Sequence, residues 1–312
     1  MIDARLFRLL LGITLAAFSF SVCAQVSGTK NIPGDYATLA AAVTDVNTQG
    51  VGAGGVILNL VVGNPQTAPT GGYAITATGT LTNPIAVTCN GNTITAPTPQ
   101  TSGALNDAIF KLIGADFVTI NGCVMNENAA NTTTAAATNN MTEWGIALLY
   151  ASTTDGAQNA TLQGNTITLN RTYQNTFGVY SNSTHSATAV TTSATATTTA
   201  GGNSGLRIYG NTISNINIGI AVIGPIAAAD HNEVADIGGL TPATGNTITN
   251  YGTTGTFSGY ANVSGTVNGI LVRNTRNYNV AFNTIASSVG GVTAGTLSGI
   301  LINTFSTVPP AP

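Results

Sequence analysis

Two short apolar lines alternate through the second half of the chain, each closed by a polar turn. One is a glycine followed by a β-branched residue, at Gly145-Ile146, Gly178-Val179, Gly219-Ile220, Gly269-Ile270 and Gly299-Ile300. The other is Asn-Thr-Ile, beginning at Asn92, Asn165, Asn211, Asn246 and Asn283. The shortest complete copy runs from Gly269 to Ile300. Short strands that return in fixed order between turns are the mark of a solenoid. The predicted fold class is therefore all-β, a right-handed parallel β-helix over about residues 56–304, its hand following the crossover preference of parallel strands. Successive Gly-Ile lines lie 33, 41, 50 and 30 residues apart. One turn thus takes about 30 residues, and the surplus loops out at about 184–203 and 238–267. A single turn buries about half a dozen aliphatic side chains at roughly 1.5–3 kcal/mol each, whereas ordering its residues costs on the order of 30 kcal/mol or more. Stacking of turns is obligatory.

Earlier in the chain the same logic predicts strands at 56–62, 73–78, 85–89, 109–113 and 117–120, which are short, β-branched and separated by Gly, Asn and Pro. Before them, Leu39, Val43 and Val46 fall on one helical face, with Asp35 as N-cap. A helix over about 35–47 would close the apolar end of the first coil. The recurring asparagines are expected at corners that need positive φ, where Gly precedes them at 91, 164, 210 and 245. Their side chains can also bond one another from turn to turn.

Residues 1–24 combine Arg5 and Arg8, an apolar stretch from Leu9 to Val22 and a small residue at Ala24, which predicts a secretory signal peptide cleaved before Gln25. The remaining domain, 25–312, has no apolar run long enough to span a membrane as a helix. Localisation is expected to be secreted or at the cell surface. Only 6% of the chain is charged, against 43% hydrophobic, and the net charge is −3. There is enough apolar surface to collapse, and with no basic cluster nucleic acid is not an expected partner. An exported chain could oxidise Cys89 and Cys123. Aligning the two strands, however, sets Cys123 level with Asn92, about 10 Å along a strand from Cys89, so two buried free thiols are predicted.

A resemblance follows from particular stretches: Ile32-Pro33-Gly34-Asp35-Tyr36-Ala37-Thr38-Leu39, Gly50-Val51-Gly52-Ala53-Gly54-Gly55-Val56, Thr154-Asp155-Gly156, Ile167-Thr168-Leu169-Asn170-Arg171 and Ala243-Thr244-Gly245-Asn246-Thr247-Ile248. In these the chain resembles large secreted bacterial proteins, frequent in Bacteroidota, that carry right-handed parallel β-helix repeats. The resemblance implies a pectin-lyase-like fold in an exported, often surface-attached protein. It carries no catalytic motif across. Such proteins usually continue into a sorting or anchoring module, and a continuation or a partner is expected at the edge strand near Ile300.

Polysaccharide cleavage on such a fold needs clustered carboxylates, or cation-binding acids with a base. The weak catalytic candidates are Arg171, Arg207, Arg273 and Asp155, isolated in sequence but able to converge across turns. Asp230, Glu233 and Asp236 are weak metal candidates. No cofactor is expected. Tyr150, Tyr180, Tyr209 and Tyr251, if exposed, could stack on sugar rings. Thr-rich repeats can form flat ice-binding faces, but the threonines here sit mostly in the irregular insertion. The leading expectation is a non-enzymatic adhesive or structural module whose partners are glycans or a cell-surface protein, with function placed on the two insertions. The alternative is a polysaccharide lyase or glycoside hydrolase.

Overall fold

The computed structural model describes residues 24–102, 105–135, 138–189, 194–252, 267–286 and 297–303, without the side chains of Ala228 and Glu233. The expected signal peptide lies almost wholly outside the described residues. Three sheets account for the strands, one of eight and two of seven, and every pairing between them is parallel. Each circuit of the chain gives one strand to each sheet, as in Leu206–Tyr209, Thr212–Ile216 and Ile218–Ile223. That arrangement is consistent with a parallel β-helix.

The Gly-Ile lines form one seven-stranded sheet. Ile146 pairs with Val179, Val179 with Ile220, Ile220 with Ile270 and Ile270 with Ile300. The Asn-Thr-Ile lines form the other, stacking Ile94, Met125, Ile167, Ile213, Ile248 and Ile285. A third strand type completes each turn, stacking Val87, Ile120, Leu162, Ile208, Ile237 and Val280 in the eight-stranded sheet. All three stacks point inward and merge in one core.

The two sequence motifs explain each other. A Cβ on Gly145 would lie 2.5 Å from Ile167 Cγ2, and one on Gly178 would lie 2.4 Å from Ile213 Cγ2. Gly219 and Gly269 meet Ile248 and Ile285 in the same way. The isoleucine of one motif thus fills the volume that the glycine of the other leaves open.

At the corner, positive φ is carried by three of the preceding glycines, 76° at Gly91, 61° at Gly164 and 59° at Gly210, whereas Gly245 is extended at −63°. The asparagines are ladder residues instead. Asn211 Oδ1 accepts from the Asn165 amide and from Asn165 Nδ2, both at 3.0 Å, and Asn246 and Asn283 repeat the pattern for the turns before them. Each Nδ2 also reaches a carbonyl of the neighbouring turn, as Asn211 does to Leu162 O at 2.9 Å.

Several expectations need correction. The helix is Leu39–Gln49, capped by Thr38, whose hydroxyl accepts from the Ala41 amide. Asp35 instead accepts from the Asn31 amide and holds the preceding turn. The sheets also begin earlier than residue 56, since Val26–Ile32 pairs with Val51–Leu60. Cys89 and Cys123 form a disulfide with a Cα–Cα distance of 4.8 Å. Cys123 does sit level with Asn92, but Asn90 and Gly91 both have positive φ, and the Asn92 amide returns to Cys89 O. The chain turns between 89 and 92 rather than extending.

The segment 184–203 is not a detached loop. Phe177–Ser186 extends into its first residues as strand, Thr184 and His185 are buried, and Asn203 bonds Leu148 O and the Ala157 amide, while 190–193 lie outside the described residues. Likewise 238–267 contains the regular strand Thr247–Tyr251, and only 253–266 lies outside the described residues. A second apolar cluster, including Trp144, Phe177, Tyr180 and Ile218, covers the outer face of the Gly-Ile sheet. Trp144 stacks on Tyr180 at 4.7 Å between centroids, and the His185 ring stands edge-on to both. The Ala196 amide bonds Ser183 O, tying the far limb of the segment to this layer.

Gly178→Ala is expected to destabilise by about 3 kcal/mol through overpacking, and Ile213→Ala by about 2–5 kcal/mol. The double variant should lose less than the sum of the two, because each change relieves the other. Urea unfolding of the four forms measures the coupling; strict additivity would dissociate the two motifs. Replacing Cys89 and Cys123 by Ala together should remove about 3–4 kcal/mol through the entropy of the opened loop, read as a lower unfolding midpoint under non-reducing conditions.

Candidate functional site

The residues proposed for chemistry do not meet. Arg207 points outward from the eight-stranded sheet, in register with Asp236. Arg273 is buried in the Gly-Ile sheet beside Ile223 and Asn303, where loss of solvent pushes its pKa down to about 10. Arg171 lies in the turn after Thr166–Thr168, and Asp155 in an exposed turn bridged to Ser152. Arg207 and Arg273 thus belong to different sheets, and Arg171 to a turn between strands.

Of the metal candidates, Asp230 and Asp236 have described side chains. Asp236 accepts from Tyr209 Oη at 2.6 Å, Asn279 Nδ2 at 2.9 Å and the Gly239 amide at 3.1 Å, so its oxygens are engaged in holding a corner. Asp230 ends a short 3-10 turn, and the Glu233 side chain is outside the described set. Among the described residues no group of three or more His, Cys, Asp or Glu side chains is placed to hold a metal ion. The tyrosines proposed for sugar stacking are also displaced: Tyr150, Tyr180 and Tyr251 are buried, leaving only Tyr209 half-exposed.

Acids and a base do gather elsewhere, at a place the sequence did not signal. Asp107, Glu127 and Glu143 come together with Lys111 and Tyr173 around the starts of the strands Ala108–Ile113 and Trp144–Tyr150. Glu143 is fully buried and its Oε2 accepts from the Asp107 amide at 2.9 Å. Asp107 Oδ2 accepts from the Thr101 amide at 2.7 Å. Glu127 takes four donors: the Asn128 amide, Asn131 Nδ2, and both the amide and hydroxyl of Thr142. Lys111 Nζ donates to Asn106 O at 2.9 Å. Burial raises the pKa of all three carboxyls, Glu143 most strongly, and lowers that of Lys111. Asp107, Glu143 and Lys111 are buried and knit loops to the sheet, while Glu127 is half-buried and lines a surface cavity of about 360 Å³ with Asn128, Asn131, Asn170 and Asn215.

What the surface does present is order without charge. On the Asn-Thr-Ile sheet the residues flanking the inward isoleucines point out and stack in register. One rank is Thr93, Val124, Thr166, Thr212, Thr247 and Thr284; the other is Thr95, Asn126, Thr168, Ser214, Thr249 and Ala286. Every member is partly or fully exposed. Thr168 Oγ1 and Ser214 Oγ lie 3.2 Å apart, in hydrogen-bond contact along the rank. The expectation that threonines sit mostly in an irregular insertion is thereby corrected. The signal was present in the sequence as Thr-Ile-Thr at 93–95, 166–168 and 247–249, but its flanking threonines acquire meaning only once the register is known. The eight-stranded sheet offers no such regularity, its corresponding row reading Ile57, Ala86, Thr119, Thr161, Arg207 and Asp236.

The chain matches no protein-family model, no curated protein and no solved structure. No helix of the described residues is long and apolar enough to cross a membrane.

The buried cluster makes a pH prediction. Glu143 has a folded pKa well above its ordinary 4.5, so the native state holds a proton that the unfolded chain releases. This contribution to stability is complete below about 4.5 and is lost as pH rises towards the folded value, at up to about 1.4 kcal/mol per pH unit. Asp107 and Glu127 act with the same sign, while Lys111, depressed from 10.5, acts with the opposite sign in a window that closes at 10.5. Glu143→Gln should therefore gain on the parent as pH rises above about 4.5 in urea unfolding. A constant difference above that pH would mean that Glu143 is ionised in the folded protein.

Proposed function

We propose that the chain is a right-handed parallel β-helix that serves as an exported or cell-surface binding scaffold rather than an enzyme. The observation that carries this reading is the periodic face of the Asn-Thr-Ile sheet, whose outward ranks hold no charge. Of the acids and base that gather, Asp107, Glu143 and Lys111 are buried and Glu127 is half-buried with its oxygens taken up by four donors, whereas the exposed Asn-Thr-Ile face is a neutral, periodic array. A catalyst of polymer cleavage needs its titratable groups within hydrogen-bond reach of the substrate. A binding scaffold needs a rigid, repeated surface. The right hand follows from the crossover preference of parallel strands. Export is supported by the charged and apolar pattern of residues 1–24, and the disulfide between Cys89 and Cys123 suits an oxidising compartment. The resemblance to surface-attached bacterial β-helix repeat proteins points the same way.

The rungs, rather than the segments 184–203 and 238–267, are proposed to carry the binding surface, because much of both segments is built into the coil. Incubation with pectins, alginates and related glycans should release neither unsaturated nor reducing ends. Release of either, abolished by Glu143→Gln or Lys111→Met in protein that still folds, would replace this reading with an enzymatic one.

A further inference from the structure

The neutral face has a more specific chemistry than a generic binding surface, and this inference rests on the scaffold reading above. We propose that the outward threonine ranks of the Asn-Thr-Ile sheet bind the surface of ice. The argument begins with spacing. Neighbouring parallel strands lie about 4.8 Å apart, and residues two apart on a strand are separated by about 6.6 Å. Two ranks across the six strands from Thr93–Thr95 to Thr284–Ala286 therefore make a grid about 24 Å long. Both repeats of that grid are close to oxygen repeats of hexagonal ice, and no flexible polymer offers a fixed two-dimensional lattice to match.

Side-chain chemistry is the second step. Threonine is stiff at χ1, so each position holds its methyl and hydroxyl at a defined place without a large entropic loss on binding. The methyl leaves neighbouring water short of partners and free to order, while the hydroxyl can enter that ordered layer as donor and acceptor. One such contact is weak, and only a repeated array accumulates them. The interior supplies rigidity: Ile167, Ile213 and Ile248 are fully buried beneath the ranks, and the Asn165–Asn211–Asn246 ladder fixes one end of each strand.

Charge supplies the third step. Neither rank contains an ionisable side chain. Ice is a neutral lattice, and an ammonium or carboxylate would keep a tightly held shell that does not fit it. The row on the eight-stranded sheet, with Arg207 and Asp236 in register, lacks this property. Val124, Asn126 and Ala286 are the departures from hydroxyl-bearing positions, the first two on one strand and the last at the end of its rank.

The test is partition of the full chain into slowly grown polycrystalline ice, with recrystallisation inhibition as a second readout. The parent protein should enter the ice fraction and hold grains small. Thr212→Tyr and Thr166→Tyr, which raise a bulky ring from the face, should each fall to the level of a non-binding control protein. Thr161→Tyr on the eight-stranded sheet should behave as the parent, and circular dichroism melts should be alike for all variants that fold. Exclusion of the folded parent from ice overturns the proposal whatever the variants do, as does equal loss in Thr161→Tyr. Retention on crystalline cellulose or chitin through the Thr212 face, with exclusion from ice, also overturns it but leaves the scaffold reading standing. Product release from glycans would sink the scaffold reading alone.

Discussion

The fold depends on a steric interlock between each Gly-Ile strand and the Asn-Thr-Ile strand that follows it along the chain. An isoleucine from the Asn-Thr-Ile strand pushes its Cγ2 into the space above a glycine of the Gly-Ile strand, at Gly145, Gly178, Gly219 and Gly269 in succession. The same glycines would also drive a Cβ to within 2.4–2.7 Å of the carbonyl oxygen of the next glycine down the sheet. A side chain at any of these positions would separate two strands and two turns at once. Glycine in a strand interior is ordinarily unfavourable. Here it is what lets the coil close to a narrow, dry cross-section.

The corner next to this contact shows how the coil handles backbone polarity. A chain that turns every few residues leaves amides and carbonyls facing the interior, where each needs a partner. The stacked asparagines satisfy both kinds, taking an amide with Oδ1 and giving Nδ2 to a carbonyl. Cys123 occupies the ladder position of its own turn: its amide still donates to Asn165 Oδ1 at 3.1 Å, but it has no amide side chain for the turn before. The disulfide to Cys89 joins the turns where that side-chain link is missing, a covalent clamp in place of a hydrogen-bonded one.

The sequence motifs made the stacking of the Gly-Ile and Asn-Thr-Ile lines legible, because each is pinned by a residue type that has a single steric or hydrogen-bonding job. The third strand of each turn was less visible. Its inward residue changes among Val87, Ile120, Leu162 and Ile208, and packing volume alone does not require one residue. Cys89 and Cys123 were misjudged for a related reason, since strand arithmetic assumes extension and cannot see that Asn90 and Gly91 reverse the chain. The segment 184–203 read as a looped-out surplus because it lengthens the spacing between Gly-Ile lines and is rich in Ser, Thr and Ala. Its anchoring depends on contacts far apart in sequence, such as His185 with Trp144 and Asn203 with Leu148. The acid cluster is equally non-local, since Asp107 and Glu143 are 36 residues apart.

Low charge now has a structural distribution rather than only a percentage. Inward positions are aliphatic, corner positions are asparagine or glycine, and outward positions on one sheet are largely threonine. Those three assignments consume most of a turn and leave little place for Lys, Arg, Asp or Glu. Several of the ionisable groups that remain are held in the cluster around Glu143 or, as Asp236 is, at a corner. A scaffold built this way gives up electrostatic steering and the solubility that net charge provides. It obtains in exchange an exposed plane whose polar groups repeat at the spacing of the backbone itself. On the proposed reading, selectivity on such a plane comes from matching a period, which favours an ordered surface over a single charged ligand.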